Sequence, residues 1–167
     1  HQQNGVPTSI EVEKEIRVGG PCRVCHYKGY TYLGKTNCTV DRFDKDGAVT
    51  ESFIRLAGYP RGIIAHEDRL YVLQHGTPYS IHVFNLLGQQ LFAWYHSDSG
   101  ASYKLGRALA VVNYDELIVA DRTNKKFCIF SLTGEFLRSV KCDQIGTMKV
   151  SLCQAGGDSI IVTNCEA

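Results

Sequence analysis

A four-residue signature returns along this chain at a nearly fixed distance, and that periodicity restricts the available folds more than any other feature. Arg69-Leu70-Tyr71-Val72 recurs as Glu116-Leu117-Ile118-Val119 and as Ser159-Ile160-Ile161-Val162, with a looser copy at Tyr30-Thr31-Tyr32-Leu33. A second β-rich run ending in an aromatic follows at Val40-Asp41-Arg42-Phe43, Ile81-His82-Val83-Phe84 and Cys128-Ile129-Phe130. Each then meets a glycine turn, at Asp46-Gly47, Leu87-Gly88 and Thr133-Gly134, and glycine is the residue that turns at low steric cost. A third run alternates apolar and polar residues: Phe53 to Leu56, Gln90 to Trp94 and Glu135 to Val140. That alternation marks a half-exposed strand. Ahead of each signature lies a strand of small apolar residues: Cys22 to Cys25, Ile63 to Ala65, Ala108 to Val112 and Val150 to Cys153.

Four short strands in each unit of about 40–47 residues, with no helical period, predict an all-β chain: a β-propeller of four-stranded antiparallel blades. With strands lettered a to d from the channel outward, residues 10–18 read as the outer strand of a preceding blade. Blades follow over 21–57, 59–95 and 105–141, and a half blade over 147–167. A closed six-bladed ring of this period needs roughly 240–280 residues, against the 167 present. The ring is thus expected to be partial. An open arc leaves strand edges unpaired, so the expectation is either a fragment or a ring completed by self-association or by strands from another chain.

Charge names no partner by itself, since 18 Lys and Arg face 17 Asp and Glu; any electrostatic message lies in the arrangement. No run approaches the roughly 18 apolar residues of a spanning helix, and His1 to Gly5 does not have the pattern of a secretory leader, so a membrane partner is not expected. Seven cysteines, an odd number in no compact framework, suit reduced thiols in a cytosolic protein. Asn37-Cys38-Thr39 fits a glycosylation acceptor, which matters only for a secreted chain.

The run Cys22-Arg23-Val24-Cys25-His26 matches a haem-attachment pattern, yet it falls on an inner strand, where neighbouring side chains point to opposite faces. Cys22, Cys25 and Cys38 with His26 lack the second Cys pair of a typical zinc site. No cofactor or metal is expected. With no G-x-S-x-G, H-E-x-x-H or P-loop motif, and with His66 beside Glu67 and Asp68 read as a structural turn, the chain is expected to bind rather than to catalyse.

The runs Tyr59-Pro60-Arg61-Gly62-Ile63-Ile64-Ala65, Arg69 to Val72 and Ile81 to Gly88, and above all Leu117 to Gly134 with its Asp121-Arg122-Thr123-Asn124-Lys125-Lys126, resemble the NHL repeat. The resemblance covers about residues 21 to 167. The second blade departs from it, carrying Gln74-His75-Gly76-Thr77-Pro78-Tyr79 where the aspartate-to-asparagine element belongs. The resemblance implies a propeller like the C-terminal domains of TRIM-NHL proteins, cytoplasmic post-transcriptional regulators that bind RNA on one face of the ring. Other NHL-like propellers are extracellular, and one branch is a peptidyl-amidating lyase, so fold does not decide function. A RING domain, where the family has one, lies upstream of the propeller.

Strand order itself sorts the loops. The d–a and b–c connections leave one rim, here the first, and the a–b and c–d turns the second. On the first rim fall Lys35, Arg61, Lys104, Arg107, Arg122, Lys125, Lys126 and Lys149, interleaved with Tyr59, His75, Tyr79 and Tyr103. Asp98, Asp121 and Asp143 oppose the first rim's cations, and the second rim carries Asp44, Asp46, Glu67, Asp68, Asp115, Glu116, Glu135 and Asp158, relieved by Lys28, Lys45 and Arg69. Cations among aromatic rings suit single-stranded RNA, because the cations neutralise phosphate while the rings stack on bases. The twelve first-rim residues are the expected RNA-binding set. The alternative is a protein-interaction propeller that docks a peptide or partner domain, with Tyr59, Tyr79, Tyr103 and Trp94 as anchors. Asp121 reads as a turn-former with Asn124 left-handed, and Tyr32 and Tyr71 as core.

Overall fold

The computed structural model describes residues 23–76, 79–95, 105–121, 124–143, 149–154 and 160–165. The expected outer strand over 10–18 lies outside them. The described residues are β-strands and their connections, with no helix. The strands are β1 (Arg23–Tyr27), β2 (Tyr30–Gly34), β3 (Thr39–Phe43), β4 (Val49–Arg55), β5 (Pro60–His66), β6 (Arg69–Gln74) and β7 (Ser80–Asn85). There follow β8 (Gln90–Tyr95), β9 (Leu105–Val112), β10 (Glu116–Asp121), β11 (Lys126–Ser131), β12 (Phe136–Lys141), β13 (Lys149–Gln154) and β14 (Ile160–Cys165). They form three four-stranded antiparallel sheets, β1 to β4, β5 to β8 and β9 to β12, and one pair, β13 with β14. Copies of the sequence signature open or fill the second strand of each sheet.

Neighbouring sheets meet through their first strands, β1 on β5, β5 on β9 and β9 on β13, as wedges stacked about an axis do. The apolar alternation supplies the mortar. Tyr32, Val40 and Ile54 of the first sheet pack on Ile63, Leu70, Val72 and Phe84 of the second. The second sheet's other face gives Tyr71, Leu73, Ile81 and Val83 to Leu109, Val111, Leu117, Val119, Cys128 and Phe130 of the third. Tyr32 and Tyr71 are wholly buried; side chains of this size contribute roughly 1.5–3 kcal/mol each on burial.

The three c–d turns repeat one chemistry. Asp44, Asn85 and Ser131 each open a four-residue turn, and their side-chain oxygens accept from the backbone N–H groups of Ala48, Gln89 and Glu135. Gly47, Gly88 and Gly134 close these turns with φ of 78°, 82° and 96°, where a Cβ is unfavourable. The turns also lock the blades together. A Cβ at Gly134 would stand 2.7 Å from the Trp94 ring, and one at Gly88 2.9 Å from the Phe53 carbonyl. Trp94, expected as a peptide anchor, thus packs between the second and third sheets beside Phe130.

Of the three a–b turns among the described residues, two use left-handed residues without a glycine, at Glu67-Asp68 and Asn113-Tyr114. A two-residue type I′ hairpin such as Glu67-Asp68 needs this conformation at both central positions. Cys25, weighed above as a metal ligand, backs onto the second sheet, and burial pushes its thiol up from the usual range, opposing the thiolate that a metal needs.

Candidate functional site

The first rim is densest where the first sheet hands over to the second. Pro60 opens β5, and His75 follows the end of β6; the His75 N–H donates to the Tyr59 carbonyl at 2.9 Å, clamping the two segments. Space is tight at the crossing, since a Cβ on Gly58 would overlap the His75 carbonyl oxygen. With the backbones so fixed, the side chains form a column. The Arg61 guanidinium sits 4.6 Å from the Tyr59 ring centre, Tyr59 stacks on His75 at 4.4 Å, and Tyr79 meets His75 edge-on at 4.9 Å. Arg23, which the sequence reading missed, donates to the Arg61 carbonyl at 2.7 Å and adds a second guanidinium. Burial, then the charge of Arg61, holds the His75 imidazole below the usual histidine range, so the neutral ring is favoured.

Beneath the column the sheet opens into a cleft of about 510 Å³, lined in part by Gly58, His75, Ser80, His82 and Tyr95. At its floor the buried Gln74 amide accepts from the Ala57 N–H at 3.1 Å and donates to Ser80 Oγ at 3.4 Å. The Ala57–Gln74 bond joins positions 17 residues apart, and no local signal in the sequence announces it.

The other first-rim candidates are placed differently. Lys35 follows β2, but its ammonium is tied to Asp41 at 2.8 Å instead of standing free as expected. Lys125 is exposed in the turn before β11, and Lys126 opens that strand. In that turn Asp121, wholly buried, accepts from the Asn124 N–H at 3.2 Å and its side-chain amide at 2.7 Å, as expected. The left-handed residue is Lys125, at φ 48°, and not Asn124. Arg107 lies on β9 and Lys149 opens β13; Tyr103, Lys104 and Arg122 lie outside the described residues.

Among the described residues, Arg23, Lys35, Arg55, Arg61, Lys125, Lys126 and Lys141 stand at or beside first-rim ends, against Asp41, Asp121 and Asp143. The second rim bears Asp44, Asp46, Glu67, Asp68, Asp115, Glu116 and Glu135 against Lys28, Lys45, Arg69 and Arg138, and several of its polar groups join adjacent sheets. Lys28 pairs with Asp68, and the His66 ring donates to the Tyr114 carbonyl at 2.9 Å. His66 is therefore a link between sheets.

Three solved structures fit this arrangement of sheets. A protein of unknown function from Bacteroides caccae superposes with a TM-score of 0.67 at 17% identity, over 89% of this chain and 55% of its own. Virginiamycin B lyase from Staphylococcus aureus gives 0.66 at 10% identity, over 86% and 48%. BamB from Moraxella catarrhalis gives 0.53 at 12% identity, over 72% and 35%. These neighbours are β-propeller proteins with four-stranded blades. The fold is that of a β-propeller. At such identities the likeness is one of fold alone, and the propeller segment seen here spans about half the length of the Bacteroides and Staphylococcus proteins. No family model and no curated protein matches the sequence.

Proposed function

We propose that this propeller segment is a binding module whose first rim grips single-stranded RNA, the role implied by its resemblance to the NHL repeat. The observation that carries the reading is the Arg61–Tyr59–His75–Tyr79 column standing on the more cationic of two rims. Tyr59, His75 and Tyr79 are each part-exposed and offer aromatic surface to a base, and Arg61 with Arg23 offers charge to the phosphates. Stacking of this kind is worth about 1–3 kcal/mol per base, and the neutral His75 ring stacks without the hydration cost of a charge. A cytoplasmic role in post-transcriptional regulation belongs to the same proposal.

The test is a titration of labelled oligouridylate against the chain at several salt concentrations. Binding weakens with salt, and Arg61→Glu lowers both the affinity and the salt slope, since each lost phosphate contact removes close to one released counterion. An affinity indifferent to salt and to Arg61→Glu overturns the RNA reading. A second reading, docking of a protein partner, is favoured by β12, whose Phe136, Leu137 and Val140 are all exposed on an outer strand; such a contact holds as salt rises.

A further inference from the structure

The cleft under the aromatic column carries a polar chain whose direction can be read from one end to the other. The Ala57 N–H donates to Gln74 Oε1, which leaves the Gln74 amide nitrogen facing Ser80 Oγ at 3.4 Å. Ser80 Oγ lies 2.9 Å from His82 Nε2, and His82 Nδ1 lies 3.0 Å from Gln90 Oε1. An amide oxygen only accepts, so Nδ1 carries the ring proton and Nε2 is left as an acceptor. The Ser80 hydroxyl, already receiving the Gln74 amide, then donates to Nε2. Ser80 and His82 are two residues apart on β7 and so share one face of the sheet, and both border the cleft. Gln90, at the start of β8, stands behind the histidine.

We infer that Ser80 is a nucleophile activated by His82, with Gln90 orienting the ring, and that the cleft accepts small carboxylic esters. A hydroxyl, a base bonded to it and a third group fixing the base's tautomer is the arrangement that makes serine reactive. The inference goes beyond the binding reading and adds chemistry where the sequence motifs led to the expectation of none. No elbow motif marks it because the serine lies on a strand beside its base.

The step balances without a further reactant besides water. Ser80 Oγ bonds to the ester carbonyl carbon as its proton passes to His82 Nε2, and the Gln74 amide beside Ser80 supplies a donor for the developing oxyanion. Collapse breaks the bond to the alkoxide, which takes the proton from His82 and leaves as the alcohol. Water then attacks the acyl-Ser80 ester, giving its proton to His82; Ser80 Oγ leaves, recovers that proton, and the carboxylic acid is released. Small residues at Ala57, Gly58 and Ala93 along the cleft fit a short acyl chain. Gln90 is neutral, so it orients the imidazole without stabilising the imidazolium, and the reaction is slow.

The experiment is labelling of the intact chain with a fluorophosphonate, followed by peptide mass mapping and by the rate of p-nitrophenyl acetate hydrolysis. The adduct is expected on Ser80. Ser80→Ala abolishes it, and Gln90→Glu, which keeps the acceptor oxygen and adds a charge, speeds labelling by about tenfold or more, in keeping with the weight of a carboxylate in such relays. A structural hydrogen bond alone does not produce that gain. Absence of an adduct on the Ser80 peptide of the wild-type chain overturns the inference, as does an adduct whose rate is the same in Gln90→Glu. Mapping of the wild-type chain needs no variant to fold, and RNA titration is a separate readout, so the two proposals fail independently.

Discussion

The second and third blades solve the same connection in opposite ways. In each, the second strand ends on a buried polar residue, Gln74 on β6 and Asp121 on β10. Asp121 turns inward on its own loop and binds Asn124 three positions on. That bond ties the far end of the connection back to β10, and its cation Lys125 stands exposed beside Asn124. Gln74 reaches instead to Ala57 in the preceding linker and to Ser80 across the sheet, leaving the loop to be held by His75 between Tyr59 and Tyr79. One blade uses its polar residue to hold a turn. The other uses it to join two segments, and rings and a cleft gather there. Departure from the repeat pattern thus marks where a common scaffold is specialised.

The comparison breaks most visibly at Asp121. Asp121→Ala removes the buried carboxylate that holds the Asn124 backbone and side-chain amides, and loss of these charge-assisted bonds is expected to lower the unfolding free energy by about 2–3 kcal/mol in urea denaturation. Gly134→Ala tests the blade-to-blade lock: the Trp94 ring must yield and the backbone holds φ 96°, so a loss of about 1–3 kcal/mol is expected in the same assay. Gln74→Ala removes uncharged hydrogen bonds and costs about 1 kcal/mol, less than Asp121→Ala. Equal losses at the two sites contradict the contrast drawn between the blades.

A smaller effect, in pH dependence, sharpens the comparison further. His75 is held below the usual histidine range by burial and by Arg61, so the folded chain resists a proton that the unfolded chain accepts. The stability this represents is full above the usual histidine range and is lost as pH falls through the lowered folded value. His75→Gln therefore flattens the stability profile on the acid side of neutrality, whereas Lys125→Gln does not. The smallest effect belongs to the exposed pair on the second rim, where Arg138 donates to both oxygens of Glu116 and holds that carboxyl below its usual range. Its contribution is present above the usual glutamate range and fades in acid. Glu116→Gln removes only that acid-side slope, measurable by thermal melting across pH.

Much of the scaffold is legible because its determinants are local. The signature strands, the glycines at 47, 88 and 134, and the alternation that buries Tyr32 and Tyr71 all act within a few residues of each other. The tight turns at Glu67-Asp68 and Asn113-Tyr114-Asp115 are less so, since strand pairing imposes a left-handed backbone on residues that do not advertise it. The site is legible as a set of residue types on one rim, but not as geometry. Lys35 meets Asp41 only because β2 and β3 pair. Trp94 leaves the rim because Gly134 of the next blade packs on its ring. The Ser80–His82–Gln90 chain exists through the register of β7 on β8, which places His82 opposite Ala93 and brings Gln90 beside Phe84.

Photocrosslinking of oligouridylate to the intact chain, with the attachment points located by mass mapping, bears most directly on the proposed role of the first rim. Crosslinks are expected at Tyr59, His75 and Tyr79, diminishing when salt is raised. Attachment confined to Tyr27, Tyr30 or Tyr114, at the turns of the opposite rim, contradicts it.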